Sequence, residues 1–172
     1  SFPTRRSSDL DSRVPVVYLS RADCDLNDEA SITQVLNRYQ PQVIINAAAY
    51  TAVDQAEDES ELAFLINAHA PKVMAHYIAN LPDGILVHYS TDYVFADTKQ
   101  TAYIETDITG PAERLSVYGQ SKLAGEQAIE GIFRSPKNFH VAHGEDNFSR
   151  YFILRTSWVY GDGENFIRSI LH

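Results

Sequence analysis

A tyrosine and a lysine four residues apart have the types and the spacing to do chemistry. Tyr118 and Lys122 begin an apolar, alanine-rich stretch with helical periodicity, and side chains at positions i and i+4 lie on one helix face. A phenol with a pKa of about 10 is a poor proton carrier at neutral pH, whereas a fixed ammonium nearby stabilises the phenolate. The pair therefore indicates a general acid for carbonyl reduction, although the same spacing is also typical of a solvated helix surface.

The composition is that of an ordinary globular chain. Its 172 residues are 44% hydrophobic and 22% charged, which is enough for one domain with a sizeable core. The net charge of -9 disfavours nucleic acid or an anionic membrane as the main partner, and no apolar run approaches the roughly 20 residues that span a bilayer. With no signal-peptide pattern and with Cys24 as the single cysteine, we expect a cytoplasmic protein without internal disulfides.

The first residues differ from everything that follows them. Residues 1–10, SFPTRRSSDL, resemble the translation of a DNA-sequencing adapter, and the alternative is a polar N-terminal tail. We therefore expect residues 1–13 to be a non-native leader and exclude them from the reasoning about the fold.

Strand-like and helix-like stretches alternate along the rest of the chain. Alternation of this kind predicts right-handed crossovers and a parallel sheet covered on both faces, which is an α/β fold. The polar stretch 134–150 lacks periodicity and predicts a surface loop. The predicted strands are 14–19, 43–49, 85–90 and 151–156, and the predicted helices are 28–39, 57–80, 116–133 and 165–171.

Polar residues follow three of the predicted strands. They occur at 46–51, at 90–92 and at 156–158. Because ligands of parallel α/β sheets bind beyond the carboxyl ends of the strands, we expect these segments to form one site with the Tyr118–Lys122 helix.

Five segments together resemble the extended short-chain dehydrogenases, and among them the dTDP-4-dehydrorhamnose reductase family. They are DCDL (23–26), NAAAYTAVD (46–54), HYSTDYVF (88–95), VYGQSKLAGE (117–126) and RTSWVYG (155–161). The resemblance implies a Rossmann-like, doubly wound parallel sheet. It also implies reduction of the 4-keto group of dTDP-4-dehydro-6-deoxy-L-mannose (dTDP-4-dehydrorhamnose) to dTDP-L-rhamnose by NADPH or NADH. Residues 14–160 would be a partial NAD(P)-binding domain, and 161–172 the start of a truncated substrate-binding portion.

The resemblance further implies a catalytic trio of Thr91, Tyr118 and Lys122. Tyr118 would protonate the sugar oxygen as hydride reaches the carbon, Lys122 would hold the nicotinamide ribose, and Thr91 would hydrogen-bond the carbonyl. The plainer interpretations are a strand-end hydroxyl that caps backbone for Thr91 and a core aromatic residue for Tyr118.

Cofactor and substrate contacts also follow from the resemblance. Ser20 and Arg21 follow the first predicted strand, where an NAD-selective fold places an acidic residue, so they favour the 2′-phosphate of NADPH over NADH. The remaining cofactor positions are Asp25 and Leu26 at the adenine, Ala48, Ala49, Tyr50 and Thr51 under the dinucleotide, and Tyr118 and Lys122; the substrate-facing positions are Thr91, Asp92 and Trp158.

Partners and metals are less well defined by the sequence. The resemblance implies a small dTDP-sugar substrate, allows a homodimer of the full-length protein, and allows Mg²⁺, which some family members hold with glutamates that cannot be mapped onto this chain. His140 and His143 form an H-x-x-H pair in the polar loop, but two histidines without a third ligand are more typical of solvated residues than of zinc. We assign no metal ligand.

The chain also departs from the family pattern. The glycine-rich phosphate-binding fingerprint and the first strand of the fold are missing, and the segments 112–114 and 134–150 are longer than the family pattern predicts. We therefore expect this chain to bind a dinucleotide poorly and to expose unpaired sheet edges.

Two alternative functions stay open at this point. One is another nucleotide-sugar enzyme of the superfamily, an epimerase or a 4,6-dehydratase, which would share the threonine, tyrosine and lysine. The other is a non-catalytic regulatory subunit like that of methionine adenosyltransferase, against which the retention of the catalytic trio speaks.

Overall fold

The computed structural model describes residues 15–96, 98–135 and 150–157. These residues form α1 (Glu29–Tyr39), β1 (Val43–Asn46), α2 (Ser60–Phe64), α3 (Ala70–Ala79), β2 (Ile85–Thr91), α4 (Val117–Phe133) and β3 (Tyr151–Thr156). Short 3₁₀ turns lie at Gln55–Glu57, Asp92–Val94 and Ala112–Arg114, and a π-helical turn at Leu65–His69. None of the described helices combines the length and the apolar content that a bilayer crossing needs.

The three strands form one parallel sheet in the order β1-β2-β3. In the register, Asn46 lies opposite His88 and Ser90 lies opposite Arg155. This confirms the predicted parallel α/β sheet, which places the carboxyl ends of all three strands at the same edge.

Helices cover one face of this sheet. A single core joins Ile32 of α1, Ile78 of α3, Ile129 of α4 and Leu86 of β2. The strands are added in one direction, and successive right-handed crossovers in one direction place their helices on the same side. The described residues therefore leave the second face without a helix, although we expected both faces to be covered.

The starts of two helices are fixed by capping side chains, and both lie within one residue of the predicted starts at 28 and 116. The Asp28 carboxylate accepts a hydrogen bond from the backbone of Ala30 at the start of α1, and the Ser116 hydroxyl accepts one from Gly119 at the start of α4. Helix α1 ends at Gln40, whose φ of 44° is left-handed, just before Pro41. The strand predictions 85–90 and 151–156 are confirmed to within one residue.

The predicted long helix 57–80 is interrupted. It divides into a 3₁₀ turn, α2, the π-helical turn and α3. The π-helical turn contains Asn67, a buried amide in an otherwise apolar environment. A π-helical turn inserts one extra residue, and such turns often mark functional positions.

Two strand predictions need correction. Residues 15–19 form no strand, and Val16, Val17, Tyr18 and Leu19 are exposed, because none of the three described strands pairs with them and supplies the hydrogen bonds that an extended segment needs. The strand predicted at 43–49 ends at Asn46, whose side-chain oxygen accepts from the backbone of Ala48 and turns the chain. The predicted leader 1–13, the helix 165–171 and most of the predicted loop 134–150 lie outside the described residues.

Candidate functional site

The predicted catalytic tyrosine and threonine meet at the carboxyl end of β2. Thr91 is the last residue of β2 and is buried, and Tyr118 lies in the first turn of α4. The Thr91 hydroxyl lies beside the Tyr118 phenol and lowers its pKa. It donates to the Asp92 carboxylate over 3.2 Å and accepts from the backbone of Tyr93. The same hydroxyl thus caps the following 3₁₀ turn and contacts the phenol, so the two interpretations of Thr91 are compatible.

A glycine allows the helix to approach this strand end. A Cβ atom on Gly119 would lie 2.5 Å from the carbonyl oxygen of Tyr93. The Tyr93 and Tyr118 rings meet edge to face, with centroids 5.7 Å apart. The Tyr118 ring is therefore held between the strand end and the first turn of α4.

The electrostatics of Tyr118 differ from our expectation. Burial raises the pKa of the phenol, and the charges of Asp92 and Tyr93 raise it further, whereas the neighbouring Thr91 hydroxyl lowers it. Lys122 is not the group that sets this pKa, so the predicted acidification by the ammonium is wrong for the described geometry. The phenol is protonated at neutral pH and can act as a proton donor.

Lys122 is held at the end of the sheet by a backbone carbonyl. Its side chain is buried, and Nζ donates to the carbonyl oxygen of Tyr89 over 2.6 Å. The backbone N–H of Ile85 is hydrogen-bonded on the β1 side. Because the direction of the backbone hydrogen bonds alternates along a strand, the Tyr89 carbonyl also points to the β1 side, beyond Asn46, the last residue of β1. Burial lowers the pKa of Lys122 to about 8, against the opposing effect of the Glu126 carboxylate.

One asparagine connects the predicted cofactor loop to the catalytic helix. The Asn67 amide accepts from the backbone N–H of Tyr50 over 2.8 Å and donates to the carbonyl of the same residue over 3.0 Å. It also donates to the Ser121 hydroxyl over 2.9 Å, and that hydroxyl donates to the carbonyl of Tyr118 over 2.8 Å. The sequence interpretation missed Asn67, whose signal is a polar residue at an inward position of an apolar helical pattern.

The cofactor loop itself presents small residues and backbone. Ala48 and Thr51 are exposed and Ala49 is half-buried, so a ligand can approach the main chain there. The Tyr50 hydroxyl donates to Glu59 over 2.7 Å, which holds that ring to the helical side of the loop.

The residues predicted to select the cofactor lie in a tight turn. Both the backbone N–H and the hydroxyl of Ser20 donate to the Asp23 carboxylate, over 2.9 Å and 2.6 Å. Arg21 is exposed. The Asp25 carboxylate accepts from the backbone of Asn27, and Leu26 packs against the main core. The Ser20 hydroxyl is thus engaged, and a carboxylate beside it does not suit a 2′-phosphate.

Of the remaining predicted residues, Asp92 lies at the site and Trp158 lies outside the described residues, as do His140 and His143. Within the described ranges, no group of three or more histidine, cysteine, aspartate or glutamate side chains could hold a metal ion. Neither this geometry nor the comparisons below support Mg²⁺.

A parallel α/β sheet with a threonine, a tyrosine and a lysine at its carboxyl edge defines a Rossmann-like member of the short-chain reductase class. Solved structures agree. The dTDP-4-dehydrorhamnose reductase of Clostridium acetobutylicum superposes with a TM-score of 0.76 at 33% identity, over 93% of this chain and 50% of that one. The Bacillus anthracis reductase, solved in complex with NADP, superposes with a TM-score of 0.73 at 33% identity, over 95% and 52%. The UDP-glucose 4-epimerase of Thermus thermophilus, at 18% identity and a TM-score of 0.58, shares the fold.

The family is shown by the sequence comparisons. The model described as the RmlD substrate binding domain matches residues 7–172, and the chain belongs to this family, that of the dTDP-4-dehydrorhamnose reductases. The reductase of Salmonella typhimurium is 43% identical over 148 residues, which are 86% of this chain and 43% of that protein. The Burkholderia thailandensis reductase is 40% identical over 157 residues, 91% and 46%. The chain thus spans less than half the length of these curated relatives.

Proposed function

We propose that this chain forms part of an enzyme that reduces the 4-keto group of dTDP-4-dehydrorhamnose to dTDP-L-rhamnose with NADPH. The observation that carries the proposal is the placement of Thr91 and Tyr118 side by side at the carboxyl edge of the sheet, in a chain of this family. Relatives named for this reaction support the choice of substrate.

The geometry suits a proton donor beside a carbonyl. Tyr118 stays protonated at neutral pH because burial raises its pKa, so it can give a proton to the sugar oxygen. The Thr91 hydroxyl, fixed by Asp92 and by the backbone of Tyr93, orients the carbonyl and the phenol relative to each other. Lys122 brings a positive charge to the same strand end, where its Nζ donates to the carbonyl oxygen of Tyr89.

The cofactor would supply the hydride to the carbonyl carbon. The residues that would hold it are Arg21, Asp25 and Leu26 at the adenosine end, the loop 48–51, and Lys122 at the ribose. The exposed Arg21 guanidinium suits the 2′-phosphate of NADPH, and a relative solved with NADP supports this choice over NADH. The engaged Ser20 hydroxyl contributes nothing to it. A cytoplasmic location and a homodimeric full-length enzyme stay predictions.

The test is NADPH oxidation with dTDP-4-dehydrorhamnose by the full-length protein that carries these residues. Tyr118→Phe should lower kcat by roughly 10²- to 10⁴-fold, because only the proton donor is removed. Tyr93→Phe is the matched control: its ring packs on Tyr118, yet its side chain is exposed, so activity should persist.

Three outcomes would contradict the proposal. Wild-type turnover that survives Tyr118→Phe would remove the phenol from the mechanism. Conversion of a UDP-sugar in place of the dTDP-sugar would favour an epimerase. NADPH binding without turnover of any nucleotide sugar would favour a regulatory subunit.

A further inference from the structure

A buried ion pair lies one helical turn from Lys122. Glu126 on α4 has 2% of its side chain exposed, and Arg155 on β3 has 23%. The Arg155 guanidinium donates two hydrogen bonds to the Glu126 carboxylate, from Nε to Oε1 over 3.1 Å and from a terminal nitrogen to Oε2 over 2.7 Å. The Ser90 hydroxyl of β2 donates to Oε1 over 2.5 Å. Three elements therefore meet at this one carboxylate.

The cluster is unusual because a second buried cation lies beside it. Lys122 and Glu126 are four residues apart on α4, the spacing at which a lysine and a glutamate pair on a helix, and an ammonium in a buried position gains from a carboxylate partner. Instead, Lys122 donates to the carbonyl of Tyr89, while both oxygens of Glu126 are taken up by Arg155 and Ser90. Arg155 pairs with Glu126 in preference to Lys122, because a planar guanidinium can donate two hydrogen bonds to one carboxylate.

We propose that Glu126 and Arg155 are positioning residues for Lys122. Arg155 occupies both carboxylate oxygens of Glu126, so Lys122 cannot fold back along α4 to pair with them. The ammonium therefore stays on the Tyr89 carbonyl, at the strand end where Thr91 and Tyr118 meet. Glu126 still acts on Lys122 through space and keeps the buried ammonium charged. This inference rests on the proposed function only for its effect on turnover.

The charged and titratable groups around Lys122 come from several elements. His88 faces it from β2 and stays neutral, since burial first and Lys122 second lower the pKa of the imidazole to about 3. Glu126 is the facing carboxylate on α4, and Arg155 reaches that carboxylate from β3. Tyr118 lies one turn back on α4, and Asp92 acts on that phenol from the following 3₁₀ turn. Among these groups, Glu126 is the carboxylate that sustains the charge of Lys122.

Two substitutions distinguish a positioning role of Glu126 and Arg155 from that of an ion pair that only stabilises the fold. Glu126→Gln keeps the shape but removes the negative charge, so the pKa of Lys122 should fall by about one unit. Arg155→Met frees Glu126 for Lys122, so the same pKa should rise by about one unit. The pKa is followed by ¹⁵N NMR of labelled lysine side chains, with the Lys122 signal identified from a Lys122→Arg spectrum. Loss of structure alone would not produce opposite shifts.

Turnover of the full-length enzyme adds the positional readout. At about pH 6.5 the lysine is charged in both variants, so a change in kcat at this pH reports the position of the ammonium rather than its charge. Arg155→Met should lose at least tenfold in kcat, because its ammonium has moved to Glu126. Arg155→Lys, which keeps the charge without the fork, should show the same changes at smaller size if Arg155→Met folds poorly.

The control is Glu130→Gln, which removes the half-buried carboxylate that pairs with the exposed Arg134 one turn further along α4 and should change neither readout. Equal or unidirectional pKa shifts in the two variants, or full kcat in Arg155→Met, would overturn the positioning role. If the two variants show opposite pKa shifts but the wild-type enzyme does not turn over dTDP-4-dehydrorhamnose, the positioning role is upheld and the proposed reaction is rejected.

Discussion

The two faces of the sheet differ in a way that hydrophobicity alone does not predict. The face without helices is the more apolar one: its side chains include Val43, Ile45, Phe152 and Leu154, all well exposed. The face beneath the helices includes Asn46, His88, Ser90 and Arg155 besides its aliphatic residues. Burial on the covered face shifts the pKa values of its polar side chains and requires that they have hydrogen-bond partners. The covered face is therefore the one on which side chains acquire unusual chemical properties.

The comparison can be tested most directly by removing one aliphatic side chain from each face. Leu86→Ala, at a fully buried position of the covered face, should lower the free energy of unfolding by about 2–5 kcal/mol, since it leaves a cavity among three helices. Ile45→Ala removes a side chain that is 66% exposed on the other face and should cost less than about 1 kcal/mol. Urea denaturation of both variants measures the difference. Equal losses would show that the open face is packed in solution.

The contact between the helices and the covered face can be tested through two glycines of α4. A Cβ on Gly125 would lie 2.2 Å from the carbonyl oxygen of Asn67, whereas nothing lies within 4 Å of one on Gly131. Gly125→Ala should therefore cost about 1–3 kcal/mol by forcing α4 away from the π-helical turn. Gly131→Ala should stabilise the chain by about 0.5–1 kcal/mol, the usual gain of alanine over glycine in a helix. Thermal melts decide, and a stabilising Gly125→Ala would mean that this close approach is absent.

A pH-dependent effect is expected from acid on the covered face. His88 is fully buried, and its Nδ1 accepts from the Asn46 side-chain amide, 3.1 Å away. Burial lowers the pKa of His88 from 6.5 to about 3. Below pH 6.5 the imidazole therefore binds a proton in the unfolded chain but not in the folded chain. Stability from this group is full above pH 6.5 and is lost as the pH falls toward 3, by about 2 kcal/mol at pH 5.

The matched variants for this prediction are His88→Asn and His76→Asn. The first should abolish that part of the acid sensitivity, measured as the difference in unfolding free energy between pH 7 and pH 5. The second replaces an exposed histidine of α3 and should leave the difference unchanged. An undiminished difference in His88→Asn would assign the acid sensitivity to other groups.

The regular elements were largely predictable, because local chemistry determines them. Asp28 and Ser116 set the starts of α1 and α4 through caps that need only nearby backbone. Residues 15–19 show the limit: their apolar pattern predicts a strand, but a strand requires a partner, and no local signal supplies one. The break at Leu65–His69 was likewise invisible, because the groups that hold Asn67 lie 17 and 54 residues away.

The proximity of two candidate residues was predictable, whereas their electrostatics were not. Motif and spacing correctly place Thr91 and Tyr118 together at a strand end. They do not reveal that Lys122 is drawn to the Tyr89 carbonyl, since that depends on where β1 ends and on which cation holds Glu126. Arg155 was quoted only as part of a motif, and its partner is set by the three-dimensional register of β2 and β3.

Arg150 has a consequence for how the chain assembles. This buried guanidinium donates to the carbonyls of Ile78 and Leu81 at the end of α3 and to that of Gly84 before β2. Arg150 stands 72 positions after Ile78 in the chain, so the carbonyls at the end of α3 gain this charged donor, in addition to their local caps, only when β3 docks. Helix α3 and strand β3 should accordingly gain protection from hydrogen exchange together, as one cooperative unit, rather than in the order of synthesis.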